Sequence, residues 1–318
     1  MAFPEELHPA SVTMNVGERA GAPKIVYVIG VRDLAITFAG GGSRAFYQVG
    51  FLEEHLSVLQ PRIASVAACS AGSAMATLLL AGRAERAKAF FAEARVGVRG
   101  HFSMRRLLAR KRPFPHNEIY RATMLDALQD GGFERIRALP FPVKILCATF
   151  PRVARGALGI AAGLGVYQLE KRLKPRMVHP SLPQRIGFQP RAWDARQCET
   201  PEELVELVLS SSSTPPFTTV GRFSDLTLID GSMVDNAPAF LAEEEPGVSR
   251  SLVLLTRPHH PESVGRKGKR LYVAPETPLP ITRWDYTEHA PVEETIERGR
   301  RDAARVQSEL AAFLSEGV

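Results

Sequence analysis

Two strand-to-helix junctions in the first quarter of the chain restrict the fold more than any other feature. Asp33–Phe38 is a β-prone, largely apolar run that breaks at Gly40-Gly41-Gly42-Ser43-Arg44 and gives way to a helical pattern reaching about Leu59. Ile63–Cys69 repeats the arrangement: the run stops at Ser70, and a small-residue, helix-prone stretch, Ala71–Ala81, follows. Continuous apolar runs without polar alternation suit strands covered on both faces. Strands separated by helices return to lie parallel. Pro142–Phe150, Leu226–Ile229 and Ser251–Thr256 read as further strands, and Ala84–Arg95, Asn117–Leu128 and Val292–Leu314 as helices. Thr200-Pro201-Glu202-Glu203 is a capping box with proline at the first helical position, so another helix starts there. The expectation is one domain over 1–318, a three-layer α/β/α fold around a mainly parallel central sheet. Residues 1–32 read as an N-terminal extension, with Ile25–Ile29 as an added strand. Residues 151–198 read as an irregular insert or lid-like segment, punctuated by Gly156, Gly159, Gly163, Gly165, Pro175, Pro180, Pro183 and Pro190.

Composition agrees with a full core: 45% of the residues are hydrophobic and 23% charged, which argues against global disorder. The three cysteines, Cys69, Cys147 and Cys198, are odd in number and widely spaced, and read as reduced thiols, as in the cytosol. Met1–Glu6 has neither a basic n-region nor an apolar h-region, so no Sec-type signal is expected, while export by a non-Sec route stays open. The glycine-rich apolar run Gly156–Val166 is too short to span a bilayer.

The net charge of +6 is unevenly placed. Residues 99–112 hold six basic side chains and no acid, and residues 152–176 hold six against Glu170, leaving the rest of the chain net acidic. Both stretches mix cations with apolar groups: Phe102, Met104, Leu107 and Leu108 in one, Leu158, Ile160, Leu164, Val166 and Tyr167 in the other. That pattern suits peripheral contact with an anionic membrane surface, or a solvated face over a core-packing helix. Interleaved aromatics are too few for a nucleic-acid partner.

Three places could carry chemistry. The glycine run Gly40-Gly41-Gly42-Ser43-Arg44 can converge backbone N–H groups on an anion at a helix start. The match of Gly40, Gly42 and Ala45 to a dinucleotide fingerprint lacks the acidic residue expected downstream, since Arg62–Ala68 holds none. A phosphate or the oxyanion of a tetrahedral intermediate would fit, and a plain tight strand-to-helix turn is the alternative. Ser70, flanked by Ala68 and Gly72, sits in a nucleophile-elbow pattern with alanine for the first glycine; helix capping is the plain alternative. Asp230-Gly231-Ser232, at the end of a strand, puts a carboxylate beside a residue without a side chain, as an ordinary turn also would. No paired-cysteine or His-Glu-x-x-His pattern calls for a metal, and no cofactor is expected.

In combination these residues resemble the patatin-like phospholipase family. The likeness rests on Gly40–Arg44 followed by Tyr47-Gln48-Val49-Gly50-Phe51-Leu52, on Ala68-Cys69-Ser70-Ala71-Gly72, on Ser210–Phe217 and on Asp230-Gly231-Ser232-Met233-Val234-Asp235-Asn236-Ala237-Pro238. The departures are Ala68, where glycine is usual, and Ala45, where a small residue or glycine is usual. The resemblance implies a Ser–Asp dyad with Ser70 as nucleophile and Asp230 as base. It also implies an oxyanion hole at Gly40, Gly41, Gly42, Ser43 and Arg44, and hydrolysis of phospholipid or other fatty acyl esters. A carboxylate is a poor base for a hydroxyl, so the pair needs a short contact in a dry site. Two other readings compete: a Ser-His-Asp esterase using His259, His260 or His289, and a catalytically silent binding module, for which Ala68 is the sole support. Nothing in the sequence sets an oligomeric state.

Overall fold

Alternation sorts the first strand between two faces. Leu34, Ile36 and Phe38 point into the main core, and Ala35 points to the opposite side. The computed structural model describes residues 32–151, 178–179 and 182–315, together with Ser11–Val12, Tyr27–Val28 and Gly165. Nine strands among them form one sheet. They are β1 (Leu34–Phe38), β2 (Ile63–Cys69), β3 (Val143–Thr149), β4 (Gln189–Asp194), β5 (Gly221–Phe223), β6 (Leu226–Asp230), β7 (Arg250–Leu254), β8 (Gly265–Lys267) and β9 (Arg270–Val273). The order is β8-β9-β7-β1-β2-β3-β6-β5, with β4 on the other edge of β3. The central pairings β9–β7, β7–β1, β1–β2 and β2–β3 are parallel. The flanking ones are antiparallel. The sheet is therefore mainly parallel, as the alternation of strands and helices requires.

The principal helices are α1 (Phe46–Glu53), α2 (Ala71–Leu80), α3 (Ala84–Ala94), α4 (Met104–Leu108), α5 (His116–Ala127), α6 (Pro201–Ser211) and α7 (Val292–Ser315). Phe46, Val49, Leu78, Leu204 and Ile296 from these helices pack with Leu34, Val66, Ala68 and Ile145 in one large cluster. Each such side chain contributes ~1.5–3 kcal/mol of burial. The opposite face is thinner: Ala35, Ala67, Cys69 and Leu146 meet Leu241 and Ala242 of a short helix at residues 239–243. Thr200 caps the helix as expected, its Oγ1 accepting from the Glu203 N–H at 3.1 Å, while the Glu203 carboxylate accepts from the Glu199 N–H at 2.6 Å.

Four strands of this sheet are not legible in the sequence. Gln189–Asp194 lies in the stretch expected to be irregular, yet pairs with β3 over its whole length. It is an edge strand, which explains how it tolerates Pro190 and its mostly polar composition. Gly221–Phe223, Gly265–Lys267 and Arg270–Val273 are too short and charged to show periodicity, and the last two form a hairpin around Gly268. Tyr27–Val28, within the strand expected at 25–29, pairs with Ser11–Val12 in a separate two-stranded piece. The rest of residues 1–31 lies outside the described residues, as does nearly all of 152–176.

Candidate active site

The shared edge of β3 brings the two chemical motifs together. β2 pairs with its first half, ending at Cys69 opposite Leu146. β6 arrives antiparallel along the second half, ending with Asp230 opposite Cys147. Because β4 occupies the other edge, β2 and β6 meet end to end. Ser70 and Asp230, far apart in sequence, are the residues at that meeting point. Ser70 Oγ donates to Asp230 Oδ2 at 2.7 Å, and both residues are buried, 8% and 6% exposed.

Ser70 takes φ 54° and ψ −137°, a region that costs a residue with a β-carbon ~1–3 kcal/mol. Three contacts hold it there. Its N–H donates to Ser211 Oγ at 2.9 Å, and Ser211 Oγ donates to Leu146 O at 2.6 Å. Its carbonyl accepts from the Ser73 N–H at 2.8 Å and from Ser73 Oγ at 2.5 Å. The side chain thus stands clear of the backbone at the first turn of α2, whose leading N–H groups favour negative charge. Gly72 permits this approach: a β-carbon there would lie 2.5 Å from Phe38 O and 2.7 Å from Ala39 O. Ala68, by contrast, sits wholly buried in the core, paired with Phe38 and Ile145, so the extra methyl of this departure is well accommodated.

Asp230 is held on both oxygens. Oδ1 accepts the Ser232 N–H at 2.8 Å, and Thr214 Oγ1 lies 3.1 Å from Oδ2. Burial pushes its carboxyl above the usual carboxylate range, opposed by the Ser232 N–H, the Ser70 hydroxyl and the charge of Arg283. The rise narrows the gap between this base and a serine hydroxyl.

The glycine loop divides its N–H groups between structure and cleft. The Gly40 N–H donates to Asn236 O and the Ser43 N–H to Arg283 O, each at 2.9 Å. Arg44 Nε donates to Gly41 O at 3.3 Å, so this side chain braces the loop. The N–H groups of Gly41 and Gly42 have no acceptor among the described residues, and both glycines line the cleft that contains Ser70 and Asp230. At Gly42, φ is +60° and a β-carbon would lie 2.0 Å from Arg283 O, so only glycine fits. Of the five residues expected to line an oxyanion hole, two therefore offer N–H groups and three support the loop.

The cleft also includes Ser213, Thr214, Pro215, Ser232, Asn236, Arg283 and Trp284, and encloses about 40 Å³. A second, apolar cavity of about 30 Å³ adjoins it at Gly42, walled by Phe46, Ala71, Met75, Leu78, Phe91, Met124 and Tyr286. No histidine lines the cleft among the described residues. His289 is 90% exposed on its side chain and His260 caps a turn at 261–263. Cys69, the neighbour of Ser70, is buried on the other face of the sheet, and burial drives its thiol well above the ordinary range. Among the described residues no cluster of His, Cys, Asp and Glu could hold a metal. Arg283 and Trp284 carry no motif, and only the folded chain reveals their place in the site.

The family model described as patatin-like phospholipase matches residues 36–243. The structure of VipD from Legionella pneumophila matches with a TM-score of 0.45 and 11% identity, over 91% of this chain and 68% of that one. Human GIVD cytosolic phospholipase A2 matches with a TM-score of 0.43 and 12% identity, over 89% of this chain and 62% of that one. This chain thus spans less than two thirds of the human protein's length. No curated protein matches the sequence.

Proposed function

The chain belongs to the patatin-like phospholipase family, and from that premise we propose that it is a lipid acyl hydrolase of the phospholipase A or lysophospholipase type, working through a Ser70–Asp230 dyad. The observation that carries the reading is the 2.7 Å hydrogen bond from Ser70 to a buried carboxylate, in a cleft where the Gly41 and Gly42 N–H groups have no acceptor among the described residues. The acyl chain enters the apolar cavity beside Gly42, whose side chains part to admit it. Ser70 Oγ attacks the ester carbonyl while its proton passes to Asp230 Oδ2. The tetrahedral oxyanion is held by the Gly41 and Gly42 N–H groups and the start of α2. Asp230 returns the proton to the departing alcohol as the C–O bond breaks, leaving an acyl-enzyme. Water then gives its proton to Asp230, attacks the acyl carbonyl, and the fatty acid leaves as Ser70 regains its proton. No histidine is needed at any step.

The chain meets its substrate at a lipid surface. Among the described residues no helix is long and apolar enough to cross a membrane. Leu108 is 80% exposed and Met104 58%, at the two ends of the short helix α4, next to Arg105, Arg110 and Lys111. This amphipathic edge would rest on an anionic leaflet. The basic stretch at 152–176 is proposed for the same surface on its composition alone, since it lies outside the described residues.

The test is a lipid panel assayed with wild type, Ser70→Ala and Asp230→Asn. Wild type should release fatty acid, and each variant should lose about a thousandfold or more in kcat. Equal rates in all three would refute the assignment.

A further inference from the structure

We infer that Thr256 is a positioning residue: its hydroxyl holds the Gly40 carbonyl and so aims the Gly41 N–H into the cleft, at the place where negative charge develops on the substrate. This rests on the acyl-hydrolase reading above and adds what keeps the oxyanion donors in line.

Glycine poses a problem at this loop. The freedom that lets Gly41 and Gly42 approach a substrate also lets the peptide planes between them turn, since no β-carbon hinders rotation. A donor stabilises a developing charge best when its direction is set in advance. A trans peptide offers the means, because the C=O of one residue and the N–H of the next point in opposite directions. Both peptides here are trans. Fixing Gly40 O therefore fixes the Gly41 N–H, and fixing Gly41 O fixes the Gly42 N–H.

Both carbonyls are held. Gly41 O accepts from Arg44 Nε at 3.3 Å. Gly40 O accepts twice, from Thr256 Oγ1 at 2.8 Å and from Asn236 Nδ2 at 3.2 Å. Thr256 makes the shorter bond and is 2% exposed, whereas Asn236 is half-buried on the cleft wall. The Thr256 side chain would also overlap a β-carbon on Gly41, so hydroxyl and glycine are fitted to each other.

Thr256 is itself placed by the sheet. β7 and β1 run parallel, and one bond carries their ladder past both ends, from the Ala39 N–H to Leu254 O at 3.1 Å. Gln48 Nε2 donates to Ala39 O and to Leu254 O, each at 2.9 Å, and clamps the two strand ends together. Two residues beyond Leu254, Thr256 reaches the glycine loop without lining the cleft. Its contribution to the reaction is then through Gly40 and Gly41, not through contact with substrate.

The test separates the hydroxyl from the volume it fills. Thr256→Val keeps the shape and removes the donor, and Thr256→Ser keeps the donor. With a dispersed short-chain ester, Thr256→Val should lower kcat about tenfold and leave KM within about twofold, while Thr256→Ser should stay within about threefold of wild type. Unchanged kcat in Thr256→Val, or an equal fall in Thr256→Ser, would overturn the proposal. If Thr256→Val does not fold, Thr256→Ala is compared with Thr256→Ser by the same criterion. A second readout is independent of turnover. In protein carrying isotope-labelled glycine, the Gly41 amide resonance should move in Thr256→Val and hold in Thr256→Ser, and the Gly42 resonance should hold in both. A Gly41 resonance unmoved in Thr256→Val would equally count against the role of Thr256. Wild type without turnover would instead sink the hydrolase reading, and the amide spectrum alone would then decide whether Thr256 aims the Gly41 N–H.

Discussion

Ser70 carries its cost in its backbone. With φ at 54°, a β-carbon is disfavoured, while glycine takes that region freely. Ser70→Gly should therefore melt above Ser70→Ala, by about 1 kcal/mol, the reverse of the usual order of these residues. Asp230 gives a second prediction, with its sign set by burial. Its carboxyl is raised above the ordinary 3.8, so the folded chain favours the neutral form. Stability is then lost as pH climbs from 3.8 through the raised value, and the loss is complete above it. Asp230→Asn should melt higher than wild type at about pH 8, and the gap should close toward the ordinary carboxylate value. The rising limb of kcat/KM in wild type should lie above the usual carboxylate range for the same reason. Ala68 was the residue that set this chain apart from its family's pattern. Buried in a core strand, it should respond to Ala68→Gly with ~0.5–1 kcal/mol lower stability and turnover within about twofold. Loss of the alanine has nothing to restore.

At the scale of elements, Ser70 and Asp230 meet because one edge of β3 is shared. β2 fills its first half and stops just before Ser70, and β6 fills its second and ends on Asp230. The sequence displays both strand ends and both motifs, since Ile63–Cys69 and Leu226–Ile229 are largely apolar runs that stop at Ser70 and Asp230. It does not display their meeting, because pairing across a sheet edge leaves no local trace. The same holds for Gly40 and Ser43, whose N–H groups are spent on Asn236 and Arg283. A run of glycines shows which amides can reach an anion, not which are already engaged. Arg283 and Trp284 were invisible for a related reason: they reach the cleft from an irregular loop far along the chain. The junction of β2 and α2 is testable through Gly72. A β-carbon there would press on Phe38 O and Ala39 O, so Gly72→Ala should cost ~1–3 kcal/mol and lower kcat by moving Ser70.

At the scale of the molecule, the site and the exposed edge at α4, proposed above to meet lipid, are joined by aromatic contacts. Phe102, 51% exposed beside α4, packs edge-on to Phe114, Phe114 packs on Phe217, and Phe217 stacks on Trp284 in the cleft wall. Docking at α4 would thus bring the cleft to the leaflet. Leu107→Asp with Leu108→Asp should reduce binding to anionic vesicles by about tenfold or more, while hydrolysis of a dispersed short-chain ester holds. The central claim, that Ser70 is an activated nucleophile, is tested most directly by labelling with a fluorophosphonate and mapping the modified peptide. One adduct is expected, on Ser70, lost in Asp230→Asn protein that remains folded. Folded wild-type protein with no adduct on Ser70, or with its adduct on another residue, would contradict it.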